Sequence, residues 1–291
     1  MIHSIQFFMF FSSRMVAFEI FGWSIYRYGI FYAMAFALGY IVLGWIGKRK
    51  VFETMPKVQY FLTEGLEDLI LSIALWVIVG GRLGHVLIYG EGYYFEHWRD
   101  IFKIWEGGMS FIGGILGVVS SVGILFWIKK LTWKDFLTLF DVILLVVPLG
   151  IFLGRFGNFL NQELYGIPVE DLPVWLGQIF RTFHLVHVYP KVDQILRVNT
   201  NFLSMIFEGI MIFGAQALVF VRQIKKKERE VWLLATNFLL FYSVVRFVFE
   251  YVRADSQMEI IGGMSKSQWF FVVFVVVAIF IRWKLGKKEK L

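Results

Sequence analysis

Cysteine is absent from the 291-residue chain. Disulfides, thiolate nucleophiles and thiolate metal sites go with it. Proline is scarce, at five residues, and three of these (Pro168, Pro173 and Pro190) fall within 162–200. Histidine also numbers five, and only His184 and His187 are spaced i, i+3. No third or fourth ligand accompanies them, so no zinc site is expected there. A phosphate-binding glycine loop and a nucleophile elbow are missing as well. Charge is thin: 18% of residues are Asp, Glu, Lys or Arg, against 58% hydrophobic. Soluble domains sit near about 45–50% apolar, so an excess arranged in long runs points to a bilayer. The net charge of +7 comes from basic residues set in short segments between apolar runs, not from a groove-like cluster. It therefore argues for membrane loops and against a nucleic-acid partner.

Seven apolar runs, near 29–47, 68–90, 109–128, 136–158, 202–221, 231–252 and 267–283, are candidate spans. Each approaches the roughly 20 residues a helix needs to cross the hydrocarbon core. Runs of this length satisfy their backbone in lipid as helices. The expected fold is an all-α membrane protein, one seven-span domain over 1–291. Of the 29 basic residues, 17 lie in the loops after spans 1, 3, 5 and 7. The positive-inside rule then places the N-terminus outside and the C-terminus in the cytoplasm. The first 27 residues lack the basic start and small-residue cleavage site of a signal peptide. They are expected to lie at the outer surface, as an amphipathic interfacial segment. The long loop 162–200 is expected to form a small outer-face cap.

Ionisable residues inside spans cost about 2.5–3.5 kcal/mol each on insertion scales. The candidates are Arg82, Asp141, Arg155, Glu208, Arg246 and Glu250. At about 1.5 Å per residue, Arg82 sits roughly 12 Å below the outer end of its span, and Glu208 and Arg246 roughly 9 Å below theirs. Five of the six fall in the outer half of the membrane, Asp141 being the exception. Scattered charges would not divide this way, whereas a polar chamber opening towards the outer leaflet would.

Arg246, Glu250 and Arg253 are spaced i, i+4, i+7 and share a helix face. Two readings stand: an internal salt bridge that lets both groups enter the membrane, or an arginine presented to a lipid phosphate with a carboxylate beside it. In Gly154–Gly166, a continuing helix would put Arg155, Asn158 and Gln162 on one stripe and Arg155, Phe159 and Glu163 on the next. A polar helix end turning into a loop accounts equally for Asn161–Gly166, but not for an arginine and an asparagine further in. Gly113 and Gly117 form a small-xxx-small pattern, which reads as close helix packing. His85, one turn from Arg82, is either a polar member of the chamber or a plain hydrogen-bonded histidine.

Five segments, in order along the chain, resemble the prolipoprotein diacylglyceryl transferases: RYGIFYA (27–33), GGRLGHVLIY (80–89), WEGGMSFIGGILG (105–117), GRFGNFLNQELYG (154–166) and RFVFEYVRAD (246–255). The resemblance implies a seven-span protein of the bacterial cytoplasmic (inner) membrane. It implies transfer of the diacylglyceryl group of phosphatidylglycerol to the lipobox cysteine of a preprolipoprotein signal peptide, without metal or diffusible cofactor. Carried over by motif, Arg155, Asn158 and Glu163 match the family's signature polar residues, and Arg246 and Glu250 its later arginine–glutamate pair. Tyr28 matches the first span's tyrosine and Arg82 the second span's arginine. Arg155, Arg246, Glu250 and Glu163 are then the expected catalytic residues. Tyr28, Arg82, Asn158, Asn161, Glu208 and Arg253 are expected to bind substrate. Which of Glu250, Glu163 or Glu208 accepts the thiol proton stays open.

The chain departs from the family pattern in three places. Ile112 stands where many members carry a histidine proposed as catalytic. Leu203–Glu208 keeps only the glutamate of its motif, and Met264-Ser265-Lys266 replaces Met-Gly-Gln. A non-catalytic relative that binds lipid or lipoprotein precursors, or an anion transporter, is the alternative. A transporter would need a polar route through the inner half, where little beyond Asp141 and Asn237 is available.

Overall fold

The structure is a computed structural model that describes residues 16–20, 23–90, 92–104, 108–230, 232–254, 260–285 and 288–290. Its main helices are α1 (Arg27–Lys48), α2 (Leu66–Tyr89), α3 (Phe111–Ile128), α4 (Trp133–Asn161), α5 (Val174–Thr182), α6 (Thr200–Lys226), α7 (Leu233–Phe249) and α8 (Lys266–Leu285). Short antiparallel strand pairs complete it: β1 (Val16–Ile20) with β2 (Trp23–Tyr26), β3 (Val186–Val188) with β4 (Leu196–Val198), β5 (Glu228–Glu230) with β8 (Lys288–Lys290), and β6 (Ile260–Ile261) with β7 (Met264–Ser265).

Six helices, α1, α2, α4, α6, α7 and α8, are long and apolar enough to cross a membrane. The run expected as a third span becomes α3, whose apolar part, Gly113–Ile128, is shorter than the other six. These helices turn large apolar side chains outward: Leu87 is 76% exposed and Leu71 68%. No water-soluble fold leaves so much apolar surface bare without a partner; lipid is the solvent that suits it. The chain is an all-α, multi-pass membrane protein. At its start, the described residues 16–20 and 23–26 pair as antiparallel strands where an amphipathic segment was expected, while residues 1–15, 21 and 22 lie outside the described residues.

The chain divides into two compact units. In the unit Tyr40–Val142, α2 packs along α3. Small residues line both sides of the seam. A Cβ on Gly84 would stand 2.7 Å from Gly113 Cα, and one on Gly113 would stand 2.9 Å from Gly84 Cα. Ser72 Oγ meets Ser121 Oγ at 2.8 Å in the same seam. The Gly113/Gly117 spacing thus does what a small-xxx-small pattern predicts, letting two backbones touch where dispersion and polar contacts replace a hydrophobic drive. Gly113→Leu should cost about 3 kcal/mol or more by overpacking, read as a fall in thermal stability in lipid nanodiscs. An unchanged melting temperature would show that the seam can open.

The other unit comprises the chain up to Gly39 and from Ile143 to Lys290. Ile212, Tyr242 and Phe271 tie α6, α7 and α8 into one core. Beyond the end of α4, residues 162–200 form a cap over this end of the helices, made of a 3-10 turn at Val169–Asp171, α5 and the β3–β4 hairpin. A second core of Val169, Val198, Leu203 and Val252 holds it to α6 and to the turn after α7. Gly166 is the tight point. Its N–H donates to Val198 O, while the next residue, Ile167, donates to Val252 O. A Cβ on Gly166 would stand 2.6 Å from Val198 O and 2.7 Å from Val252 O, so only glycine fits between these two carbonyls.

Candidate active site

Three chain segments converge in the unit containing the cap. The C-terminal part of α4 brings Arg155 and Asn158. The end of α7 brings Arg246, followed by a 3-10 turn at Glu250–Val252. The start of α6 brings Glu208, and its local structure explains how. After one α-helical stretch, Thr200–Ser204, α6 widens into a π-helical turn at Met205–Met211. Such turns rotate side chains off the α-helical stripe and recur at functional sites. Gly209 lets this turn press on α4, since a Cβ there would stand 2.7 Å from Phe152 Cβ. Glu208, its neighbour, is fully buried at 0% exposure.

Glu208 is the centre of the cluster. Arg155 Nη2 lies 3.4 Å from Glu208 Oε2, and Arg246 Nη1 lies 3.6 Å from Glu208 Oε1. Ser204 Oγ donates to Glu208 Oε1 at 2.7 Å. Arg246 Nη2 donates to Glu250 Oε2 at 3.3 Å. The Arg246 guanidinium also lies 5.6 Å from the centre of the Phe271 ring. Two guanidiniums and two carboxylates balance in formal charge, which is what allows four ionisable groups to be buried together. Buried Arg253 adds a third guanidinium, and it lies with Tyr242 and Arg246 within electrostatic range of Arg155.

At two places the local structure decides between readings or corrects one. Helix α4 ends at Asn161, so of the two readings of Asn161–Gly166 the polar helix end turning into a loop holds, and Glu163 does not continue the Arg155 stripe. Gln162 takes a left-handed conformation (φ 60°), and the N–H of Gln162 and of Glu163 donate to Phe159 O and Asn158 O. This pair of bonds caps a helix end and turns the chain out of it. Likewise α7 ends at Phe249 and Arg253 is extended, so Arg253 leaves the face shared by Arg246 and Glu250. Its backbone instead bridges to Gly166.

Glu163 is placed by its surroundings. Asn161 Nδ2 donates to Glu163 Oε1 at 3.1 Å. Asn158 is buried on α4. Arg82 belongs to the other unit, where Nε donates to Ile101 O at 2.7 Å, Nη1 to Gly108 O at 3.2 Å, and Nη2 to Asp100 O. The Tyr94 ring centre lies 5.4 Å from its guanidinium. There Arg82 ties the segment after α2 to the residues before α3. His85 stacks edge-on to the same Tyr94. Asp141 is buried in that unit too. Tyr28 and Ile112 lie in α1 and α3, but their side chains are outside the described residues.

The cap has its own electrostatics. His187 packs against Phe159 and Tyr189, and burial pulls its pKa below the usual histidine range. Burial pushes the Tyr189 phenol up. Arg197 Nη2 lies 2.6 Å from Asp193 Oδ2 and holds that carboxyl below its ordinary value. Because folding disfavours the imidazolium of His187, its neutral form contributes stability above its unfolded pKa of about 6.5, and this fades as pH falls. The cap should therefore loosen on acidification, and His187→Phe should flatten that response in hydrogen exchange of the 185–198 amides. An unaltered response in the variant would assign the effect elsewhere.

Sequence reasoning missed Ser204 as the partner of Glu208, and missed Thr200 and Asn201, which face Glu163 and Leu164 from α6. The i, i+4 spacing of Ser204 and Glu208 was the available signal for the first.

A multi-pass membrane protein with an arginine–carboxylate cluster buried among its spans is the class these observations define. A sequence model of the prolipoprotein diacylglyceryl transferase family matches residues 15–284. The chain is 35% identical over 278 residues to the phosphatidylglycerol–prolipoprotein diacylglyceryl transferase of Polynucleobacter necessarius, covering 94% of this chain and 96% of that protein. Enzymes of the same name from Azoarcus sp. (35%, covering 87% of each chain) and Neisseria gonorrhoeae (34%, covering 89% of this chain and 93% of that protein) are similar. The chain belongs to the prolipoprotein diacylglyceryl transferase family.

Proposed function

We propose that this protein transfers the diacylglyceryl group of phosphatidylglycerol to the lipobox cysteine of preprolipoproteins, the first step of lipoprotein maturation. The carrying observation is the Arg155–Glu208–Arg246–Glu250 cluster within a chain of this family. The cysteine sulfur attacks the glyceryl carbon that bears the phosphate. A C–S bond forms, the C–O bond to phosphate breaks, and glycerol phosphate leaves with the bonding electrons. Negative charge grows on the departing phosphate, so a guanidinium fork aimed at it lowers the barrier. Arg246 and Arg155 are assigned that role.

The thiol must lose a proton to become the nucleophile. Glu208 suits this least, because it is fully buried, holds two guanidiniums and accepts from Ser204. Its work is to aim the arginines. Glu250 and Glu163 are the better bases, directly or through a water. Asn158, Asn161, Arg253 and Tyr28 complete the substrate-binding set. Arg82, which belongs to the other unit, fixes Gly108 before α3. No metal or diffusible cofactor enters this scheme.

The protein is assigned to the bacterial cytoplasmic (inner) membrane as one domain of seven spans. α3 is the seventh span, the N-terminus lies outside, and the cap faces outward. A reporter fused after Leu291 should read the cytoplasm, and a periplasmic signal would reverse this topology. Purified protein with phosphatidylglycerol and a synthetic lipobox peptide should give the peptide plus one diacylglyceryl group by mass spectrometry. Ile112 favours the second reading, a lipid- or precursor-binding relative without catalysis. That reading takes over if no adduct forms while a histidine-containing relative works in the same assay. With activity established, Ile112→His should keep or raise turnover, and total loss would show that the pocket requires an apolar residue there.

A further inference from the structure

Glu163 sits in a backbone that ordinary residues avoid. Gln162 and Leu164, on either side of it, have φ of 60° and 52°. Neither is glycine, and non-glycine residues hold such angles only where their surroundings over-determine them. The restraints are visible. Gln162 Oε1 accepts from Lys191 N at 2.8 Å. Asn201 Nδ2 donates to Glu163 O at 2.8 Å, and Thr200 Oγ1 donates to Leu164 O, also at 2.8 Å. Two successive carbonyls of the strained turn are thus held by two successive side chains of α6. Asn201 is 0% exposed and Thr200 3%, so both donors are shielded from solvent.

The clamp is itself fixed. Asn199 caps α6, its Oδ1 accepting from Phe202 N at 3.0 Å and from the Tyr189 hydroxyl at 3.1 Å. Two turns further along α6, Glu208 holds Arg155 and Arg246. One helix therefore sets the position of the Glu163 turn at its first residues and of both guanidiniums at its π-helical turn.

We infer that Asn201, assisted by Thr200, is a positioning residue: its amide fixes the strained Glu163 turn in register with the arginine pair that α6 also holds. This rests on the reaction proposed above, with Glu163 in the reacting set. The clamp side chains bond the backbone carbonyls of Glu163 and Leu164, so their effect passes through the Glu163 turn.

The test measures kcat and KM for transfer to a lipobox peptide in four proteins: wild type, Asn201→Ala, Glu163→Gln and the double variant. Asn201→Ala should lower kcat about tenfold or more while KM for phosphatidylglycerol changes less than twofold. In the Glu163→Gln background the same substitution should have almost no further effect, because the group it positions has already been replaced. A structural role would instead multiply the two losses, and this outcome would overturn the inference. So would an unchanged kcat in Asn201→Ala. Thr200→Val, nearly isosteric, removes the second clamp bond with less risk to folding. It should show a smaller kcat loss that also vanishes with Glu163→Gln, and loss of folded protein in both clamp variants would make the pair mere supports. An inactive wild type would count against the transferase reading itself, which separates the two failures.

Discussion

Arg246→Ala is expected to lower transfer by about a thousandfold while the protein remains folded and membrane-inserted. Removing one preorganised donor to a developing oxyanion typically costs about 100- to 1,000-fold. Arg246 belongs at the upper end because it bonds Glu250 and Glu208 at once, so its loss frees two carboxylates as well as a phosphate ligand. Lysine should rescue poorly: a point charge cannot reproduce a fork that contacts two carboxylates in different directions. Transfer, phosphatidylglycerol binding and thermal unfolding should be measured together. Normal turnover in the folded variant would remove the phosphate role.

The second large effect falls on stability. Glu208→Ala leaves two guanidiniums facing each other where the carboxylate was 0% exposed. Breaking a buried ion pair by removing one partner costs about 3–5 kcal/mol, because the remaining charge stays buried. Here two remain, with Glu250 as the neighbour of only one of them. The variant should melt far below wild type and be inactive. Adding Arg155→Met to it removes one of the stranded charges and should recover a good part of the lost stability without restoring transfer. Strictly additive destabilisation in the double variant would contradict the coupling described.

Most of the fold was legible in the sequence because span-forming runs carry their own evidence. A run such as 267–283 must be a helix wherever it lies, since lipid offers its backbone no partner, and α8 covers it. The glycine pattern at Gly113 and Gly117 was equally local, and its partners Gly80 and Gly84 lie on α2. Boundaries read less well. The span expected over 231–252 ran past Phe249, where α7 stops, and whether the helix continued past Asn161, where α4 stops, was left open. Neither stop has a glycine or proline to announce it; the cap and the bridge between Gly166 and Arg253 impose them.

The candidate site divides along the same line. Composition and depth singled out Arg155, Glu208, Arg246 and Glu250, because a charge in an apolar run is expensive enough to be conspicuous by itself. The Arg246–Glu250 pair followed from i, i+4 spacing on one helix and stands at 3.3 Å. That Glu208 joins both arginines was decided by tertiary structure alone. It depends on a π-helical turn, on Gly209 letting α6 approach α4, and on three segments separated by up to 91 positions in the chain. The Asn201 and Thr200 clamp is of the same kind: two polar residues at a helix start look like ordinary capping until the carbonyls they hold come into view. The sequence by itself determined which groups are costly to bury and which segments must be helical, since both follow from local transfer energies. Which costly groups meet was left to the packing of helices, because a charge in lipid requires a partner without specifying which one.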